Sequence, residues 1–420
     1  MPSPERPARP LPTLGQREFV ALLAMVQALQ ALAIDAMLPA LGVMSSEFGV
    51  TDPNRRQLVI SIFLLFSGLG SLFPGAAADR FGRKPVLLSC LAGYVVMMLF
   101  SALASDFTMM LIARAIAGLC ASGLAVMPLA IIRDRFEGDR MARLQSLISV
   151  VFMVVPMLAP SLGQIVLLLV GWRWIFGLMA AIGMAVGVWA MLRLPETIHP
   201  EFRQPISPAA VAHNLWLAVT TRASIGYVFG AALIQGALFG YVNSAQQLVA
   251  EHFGAGSRFP LIFGAMALFM AGANFTNSRI VGRFGTRRVS QTALFAYIAI
   301  GLMQLWFASS GRETLWQFVP LTTLNMCMMG FIGANFAAIG LQPFARIAGS
   351  AASVQVFIRT VCAALLGMWI GQSYDGTAVP LAVGLVAAGF CSLALVLFSE
   401  RGRLFRRVHY PGKPAPVPEN

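Results

Sequence analysis

The chain has 420 residues, of which 58% are hydrophobic and only 11% charged, with a mean hydropathy of +0.75. Soluble domains run near a quarter charged, so this chain has too few polar groups to keep a folded surface in water. Its net charge of +13 would suit nucleic acid, but the cations stand in short clusters between apolar runs. That is the pattern of loops on one membrane face, and nucleic-acid binding is excluded on that ground.

In chain order, a Pro- and Arg-rich tail (1–17) leads straight into a full-length apolar run, too long for a signal segment. Twelve apolar runs are predicted, near 18–42, 57–78, 85–105, 107–131, 144–169, 174–193, 222–247, 259–281, 289–309, 314–340, 349–372 and 379–398. A helix needs about 20 apolar residues to cross a bilayer core. Continuous runs argue for helices, whereas a barrel would alternate over about ten residues. The longest polar gap, 194–221, holds Pro195, Pro200, Pro205 and Pro208 and divides the spans six and six. The expected fold is therefore all-α, with two pseudo-symmetric six-helix bundles at 18–193 and 222–398 and a Pro-rich tail at 399–420. A five-residue echo supports duplication: RFGRK at Arg80–Lys84 is answered by RFGTR at Arg283–Arg287, each between the second and third spans of its half.

Charge placement sets the expected orientation. With both termini cytoplasmic, 23 of the 30 Lys and Arg fall on that side and five on the other. The positive-inside rule needs far less bias. The cysteines (Cys90, Cys120, Cys327, Cys362, Cys391) all lie inside apolar runs and read as packing residues. All four histidines lie in loops or tails, so no intramembrane histidine site for a metal is expected. The phosphate-binding pattern G-x-x-x-x-G-K-[ST] is absent, so no nucleotide cofactor is expected either, and an ion or substrate gradient must supply the energy.

The charges inside the spans carry the chemistry. Asp35, in QALQALAIDAMLPALG of span one, is the only carboxylate well inside an apolar run. Held between low dielectric and a nearby cation, such a group can load and release protons; a packing aspartate satisfied by hydroxyls is the alternative. Between spans two and three stands GAAADRFGRKPVLL, with Gly75, Asp79, Arg80, Gly82, Arg83 and Lys84. Arg114 lies about seven residues into span four, where a guanidinium costs a few kcal/mol unless it meets a cavity, a carboxylate or carbonyls. Span five carries Pro156, Pro160 and Gly163, a pattern that bends a helix and permits close packing. In the second half, Arg359 lies about 15 Å along span eleven, near mid-membrane, as a candidate anion ligand or a structural arginine. Gln235, Tyr241 and Asn243 of span seven and Asn325 and Asn335 of span ten are candidate cavity groups, or interhelical hydrogen-bonding groups.

Taken in place, these motifs resemble those of the major facilitator superfamily. G-x-x-x-D-R-x-G-R-K from Gly75 is similar to its A-motif, the Arg114 segment to its B-motif, and the span-five pattern to the C-motif of antiporters, with Gln164 where a second glycine is usual. D-x-x-L-P at Asp35–Pro39 is similar to the drug–proton antiporters. With IIRDRF, GWRWIF and LPET, it resembles the bicyclomycin-resistance branch of multidrug exporters. The resemblance implies a transporter and no enzyme, with Asp35 and Arg114 coupling to protons. It also implies a cytoplasmic latch at Asp79, with Arg133 as its partner. The expected function is proton-coupled export of small amphiphilic compounds by a monomer in a bacterial-type inner membrane, in contact with lipid. An importer or uniporter of a metabolite is the alternative; a membrane enzyme or sensor lacks its expected polar cluster or appended domain.

Overall fold

The computed structural model describes residues 15–136, 138–198, 216–217 and 219–405. Most of both tails and most of the 194–221 linker lie outside the described residues. Among those described there are only helices and turns. Hydrocarbon offers the backbone no hydrogen-bond partner, so each crossing segment must satisfy its own amides.

Span one is α1 (Gln16–Asp35), which stops at Asp35, followed by a 3-10 turn (Leu38–Ala40) and α2 (Leu41–Glu47). Pro39 explains the break: it has no amide hydrogen and steers the residue before it away from helix. Span two is α3 (Leu58–Gly70) and α4 (Phe73–Phe81), bent by 45° at Ser71 and Leu72, with Pro74 in the first turn of α4. The first half continues with α5 (Arg83–Ala102), α6 (Phe107–Arg135), α7 (Gly138–Val170) and α8 (Arg173–Arg193). The second half holds α9 (Arg222–Ala245), α10 (Phe259–Phe284), α11 (Thr286–Ser309), α12 (Leu315–Leu341), α13 (Ala348–Gln372) and α14 (Val379–Ser399). A single π-helical turn, Gln246–His252, extends α9. Ten of these elements are long and apolar enough to cross a membrane, counting α1 with α2. The bent pair α3–α4 makes an eleventh among the described residues, and the 33-residue α7, with its apolar stretch Val154–Val170, stands as the twelfth helix of the bundle pair.

Lipid-facing residues are evident from exposure. Leu168, Leu169, Leu261, Phe269 and Trp316 are all exposed, a pattern expected only where the surrounding solvent is apolar. Within the halves, α9 packs on α13 and α14, α3 on α6, α5 on α6 and α8, and α1 on α7; between the halves, α3 meets α13 and α7 meets α10. Both crossings use glycine. A Cβ at Gly68 would lie 3.0 Å from the Val361 nitrogen, and one at Gly264 2.6 Å from the Met157 oxygen.

The RFGRK and RFGTR echo is also structural. Gly82 (φ 107°) and Gly285 (φ 86°) each turn the chain into the next helix in a conformation open to glycine. In each half a carboxylate past the last helix meets that turn. Glu196 accepts the first amides of α5, from Arg83 (2.9 Å) and Lys84 (3.2 Å), and Glu400 takes the Arg287 guanidinium at 2.8 Å. A negative charge at a helix start fills unpaired amides and suits the helix dipole.

At the other end of the molecule, the turn between α11 and α12 buries both carboxylate oxygens of Glu313 without a hydrogen-bond partner. Burial pushes this carboxyl up to about 7, from 4.5 when free in water. Below pH 4.5 it is protonated in both folded and unfolded chains and costs nothing; above 7 the fold must hold an unpaired buried charge. Glu313→Gln should therefore raise the thermal midpoint at pH 8 and leave it unchanged at pH 4.5, read by differential scanning fluorimetry in detergent.

Candidate functional site

Asp35 is the last residue of α1 and only 6% exposed. It accepts no hydrogen bond and forms no ion pair among the described residues. What fixes its position is the backbone on either side. Arg114 is fully buried; its Nη2 donates to the Ala33 carbonyl at 2.9 Å and its Nε to the Val59 carbonyl at 3.0 Å, and its guanidinium lies 4.2 Å from the Phe63 ring centroid. Ala33 stands one turn before Met37, which is already past the end of α1, so the arginine takes a carbonyl that the break leaves open. On the other side, a Cβ built on Gly163 would lie 1.7 Å from the Ala36 oxygen, so α7 reaches the break only because that residue has no side chain. Pro160 is buried, and α7 stays one helix through both prolines. The expected meeting of Arg114 with the carboxylate is absent: the arginine ties spans one, two and four together through carbonyls and a ring.

The loop after span two folds onto its own half. Arg83 is the buried hub: its Nη1 meets Asp79 at 2.7 Å and its Nε meets Asp134 at 2.8 Å. Thr197 donates to the same Asp134 carboxylate. Lys84 donates to the Met191 carbonyl at 2.8 Å, near the end of α8. Arg133, expected as the partner of Asp79, is exposed and makes no ion pair; Arg83 takes that role, and Asp134, the neighbour of Arg133, binds the same guanidinium. Arg80 is exposed over Phe81. Gly75 has open space where a side chain would be, whereas a Cβ on Gly82 would fall 2.4 Å from Glu196.

The two halves are joined by polar groups at the face opposite the termini. Arg56 meets Glu251 at 2.5 Å. Gln57 donates to Gln247, Gln247 to the Pro53 carbonyl at 2.7 Å, and Ser61 to Asn243 at 3.0 Å. Asn54 donates to the carbonyls of Gln372 and Tyr374, and Gln372 donates back to that of Asn54. Each hydrogen bond of this seam crosses from one half to the other. Sequence reading missed it: Arg56 counted only as a loop charge, and nothing in the spacing pairs residues nearly two hundred positions apart.

In the second half, the expected cavity groups divide. Asn243 belongs to the seam. Asn335 donates to Asn277 (2.9 Å) and to the Phe331 carbonyl, and Asn325 to Gln304, all interhelical or local bonds within the half. Tyr241 is buried against Met266 and stacked on Phe263. Gln235 is half-buried and unbonded. Arg359 also carries no hydrogen bond or ion pair, and its Nε is shielded from solvent.

Comparison with known proteins decides the family. The sequence profile described as Major Facilitator Superfamily matches residues 23–367. The chain belongs to the Major Facilitator Superfamily. It is 26% identical over 386 residues to the bicyclomycin resistance protein homolog of Haemophilus influenzae, covering 90% of this chain and 94% of that one. It is 29% identical over 371 residues to the multidrug resistance protein MdtL of Klebsiella pneumoniae, covering 87% and 91%. A crystal structure of a D-xylose-proton symporter shares the fold with a TM-score of 0.71 at 14% identity, covering 93% of this chain and all of that one. This superfamily member is a multi-pass membrane transporter of small molecules and not an enzyme.

The geometry yields two expected outcomes. Glu251 is half exposed, so losing its bond to Arg56 removes about 1 kcal/mol or less. Glu251→Gln should therefore raise the maleimide reactivity of Ser61→Cys up to about fivefold, in a protein otherwise free of cysteine. Equal reactivity in both backgrounds would remove the ion pair from the seam's energetics. At the Asp35 break, Gly163→Val should lower the thermal midpoint by several degrees and abolish ligand-dependent stabilisation, because it drives a side chain into the Ala36 backbone.

Proposed function

We propose that this transporter exports small amphiphilic compounds in exchange for protons by alternating access between its two bundles. Both termini would be cytoplasmic and the polar seam periplasmic. The observation that carries the reading is Asp35: an unpaired carboxylate at a helix break deep in the first bundle, positioned by Arg114 and Gly163. An acid with no fixed partner is free to exchange a proton with whichever side has access to it, and an unpaired intramembrane acid marks ion pathways. Arg114 would act as the positioning residue, holding the break in place. The opening and resealing of the Asn54–Ser61 seam would gate one side, and the Asp79–Arg83–Asp134 cluster would brace the other end of span two. The named resistance proteins among the relatives support export of toxic compounds, and the Lys and Arg distribution supports the orientation. We place the protein in a bacterial-type inner membrane as a lipid-embedded monomer.

Asp35→Asn tests the reading directly. In proteoliposomes with an imposed pH gradient, wild type should move its substrate against a concentration gradient, and the variant should fall to the protein-free background, at least about a hundredfold lower. Exchange of substrate down its own gradient should persist in the variant. Full pH-driven activity in Asp35→Asn would demote the carboxylate to a packing residue and favour uniport.

A further inference from the structure

Two arginines lie deep in the spans, and the structure treats them differently. Arg114 gives its Nε and Nη2 to carbonyls and covers Phe63, leaving only Nη1 without a partner. Arg359 does neither, and no carboxylate, carbonyl or ring meets it among the described residues. Its Nε is closed off from solvent without a partner, which is costly, and its remaining donors are left for an anion from outside the chain.

The surroundings describe that anion. Arg359 stands at the deep end of a small cleft between α9, α12 and α13, open on one side. On α13 the cleft face is Ala352, Gln355, Val356 and Arg359, at helical spacing. Val228 and Ala231 of α9 and Ala337 of α12 complete apolar walls whose short side chains leave room. Two further polar groups line it, and both are engaged: Tyr227 donates to Glu400 at 2.7 Å, and Gln355 donates to Ser224 at 3.4 Å. Arg359 is thus the one uncommitted polar side chain of an apolar cleft. Side chains of α13 lean toward its N-terminal end, which places the guanidinium back over Gln355 and Val356 rather than deeper in the bundle.

We propose that this cleft is a substrate subsite for amphiphilic monoanions, with Arg359 pairing the carboxylate of a ligand whose apolar body lies along the alanine-lined walls. A guanidinium offers a planar fork that matches a carboxylate with two bonds, and the alanines exclude nothing but polarity. The inference deepens the export reading and rests on it only for the direction in which the ligand travels; binding itself does not depend on it.

The experiment is equilibrium binding of tritiated 2-naphthoate and of 2-naphthamide, its uncharged analogue, to the purified full-length transporter in nanodiscs of zwitterionic lipid. Wild type should hold the acid at least about tenfold more tightly than the amide. Arg359→Gln should erase that preference by weakening the acid about tenfold while leaving the amide within about twofold, which also shows the fold intact. Arg359→Lys should fall between, and Ala337→Leu should weaken both ligands by filling the cleft with the arginine untouched. Equal binding of acid and amide by wild type, or unchanged naphthoate binding by Arg359→Gln, overturns the subsite. Should Arg359→Gln lose both ligands, Ala337→Leu decides: weakened naphthoate binding upholds the cleft and unchanged binding overturns it. Arg359-dependent binding with no proton-driven movement in proteoliposomes would instead sink the export reading and leave the subsite standing.

Discussion

A helix that stops inside a membrane must give its open carbonyls to something, and span one stops at Asp35. Water is not available there, and an unsatisfied backbone group in hydrocarbon costs several kcal/mol. The chain meets this demand with a side chain from another helix, Arg114 on the Ala33 carbonyl, and with direct backbone packing at Gly163 against Ala36. The arginine's second bond, to the Val59 carbonyl, ties the start of α3 to the same point. Spans one, two, four and five therefore meet around one carboxylate that itself has no partner. The break, the arginine and the glycine are one device, and the free acid is its product.

The same economy appears twice at the termini face, with different chemistry in each copy. Each half turns through a positive-φ glycine and brings a carboxylate from beyond its last helix to the turn. In the first half Glu196 caps backbone amides, leaving Arg83 free to bind Asp79 and Asp134. In the second half Gly282 stands where Asp79 would be, and Glu400 pairs directly with Arg287 and accepts from Tyr227. The duplicated backbone has kept its geometry while its charges diverged. The elaborate cluster braces the end of span two, which is also the span whose other end forms the seam.

The spans and the places of Asp35, Arg114 and Gly163 within them were legible in the sequence because each rests on a local rule: continuous apolar length, a charge too deep to be incidental, a glycine among prolines. The partners were not. Arg133 and Asp134 are adjacent, and a helix turns by about 100° per residue, so one faces outward and the other the Arg83 guanidinium. Sequence alone does not say which. Asn243 and Asn335 look equivalent as polar residues in apolar runs, yet one joins the two halves and the other bonds within its own. Glu196 sat inside the LPET signature without a role, because a cap on a helix more than a hundred residues upstream leaves no local trace.

The seam's composition bears on how the halves can part. It is made of amides, a hydroxyl, backbone carbonyls and one ion pair whose acid is half exposed. Each of these groups exchanges a protein partner for water when the seam opens, so the net difference per bond is small. The apolar crossings differ. Gly68 against Val361 and Gly264 against Met157 bring helix backbones into direct contact, where separation would forfeit close packing with no exchange of hydrogen bonds to offset it. In the proposed alternating access, motion should therefore be greatest at the wet seam and least at these two glycine contacts. On that view α3–α13 and α7–α10 serve as the pivots about which the bundles rock.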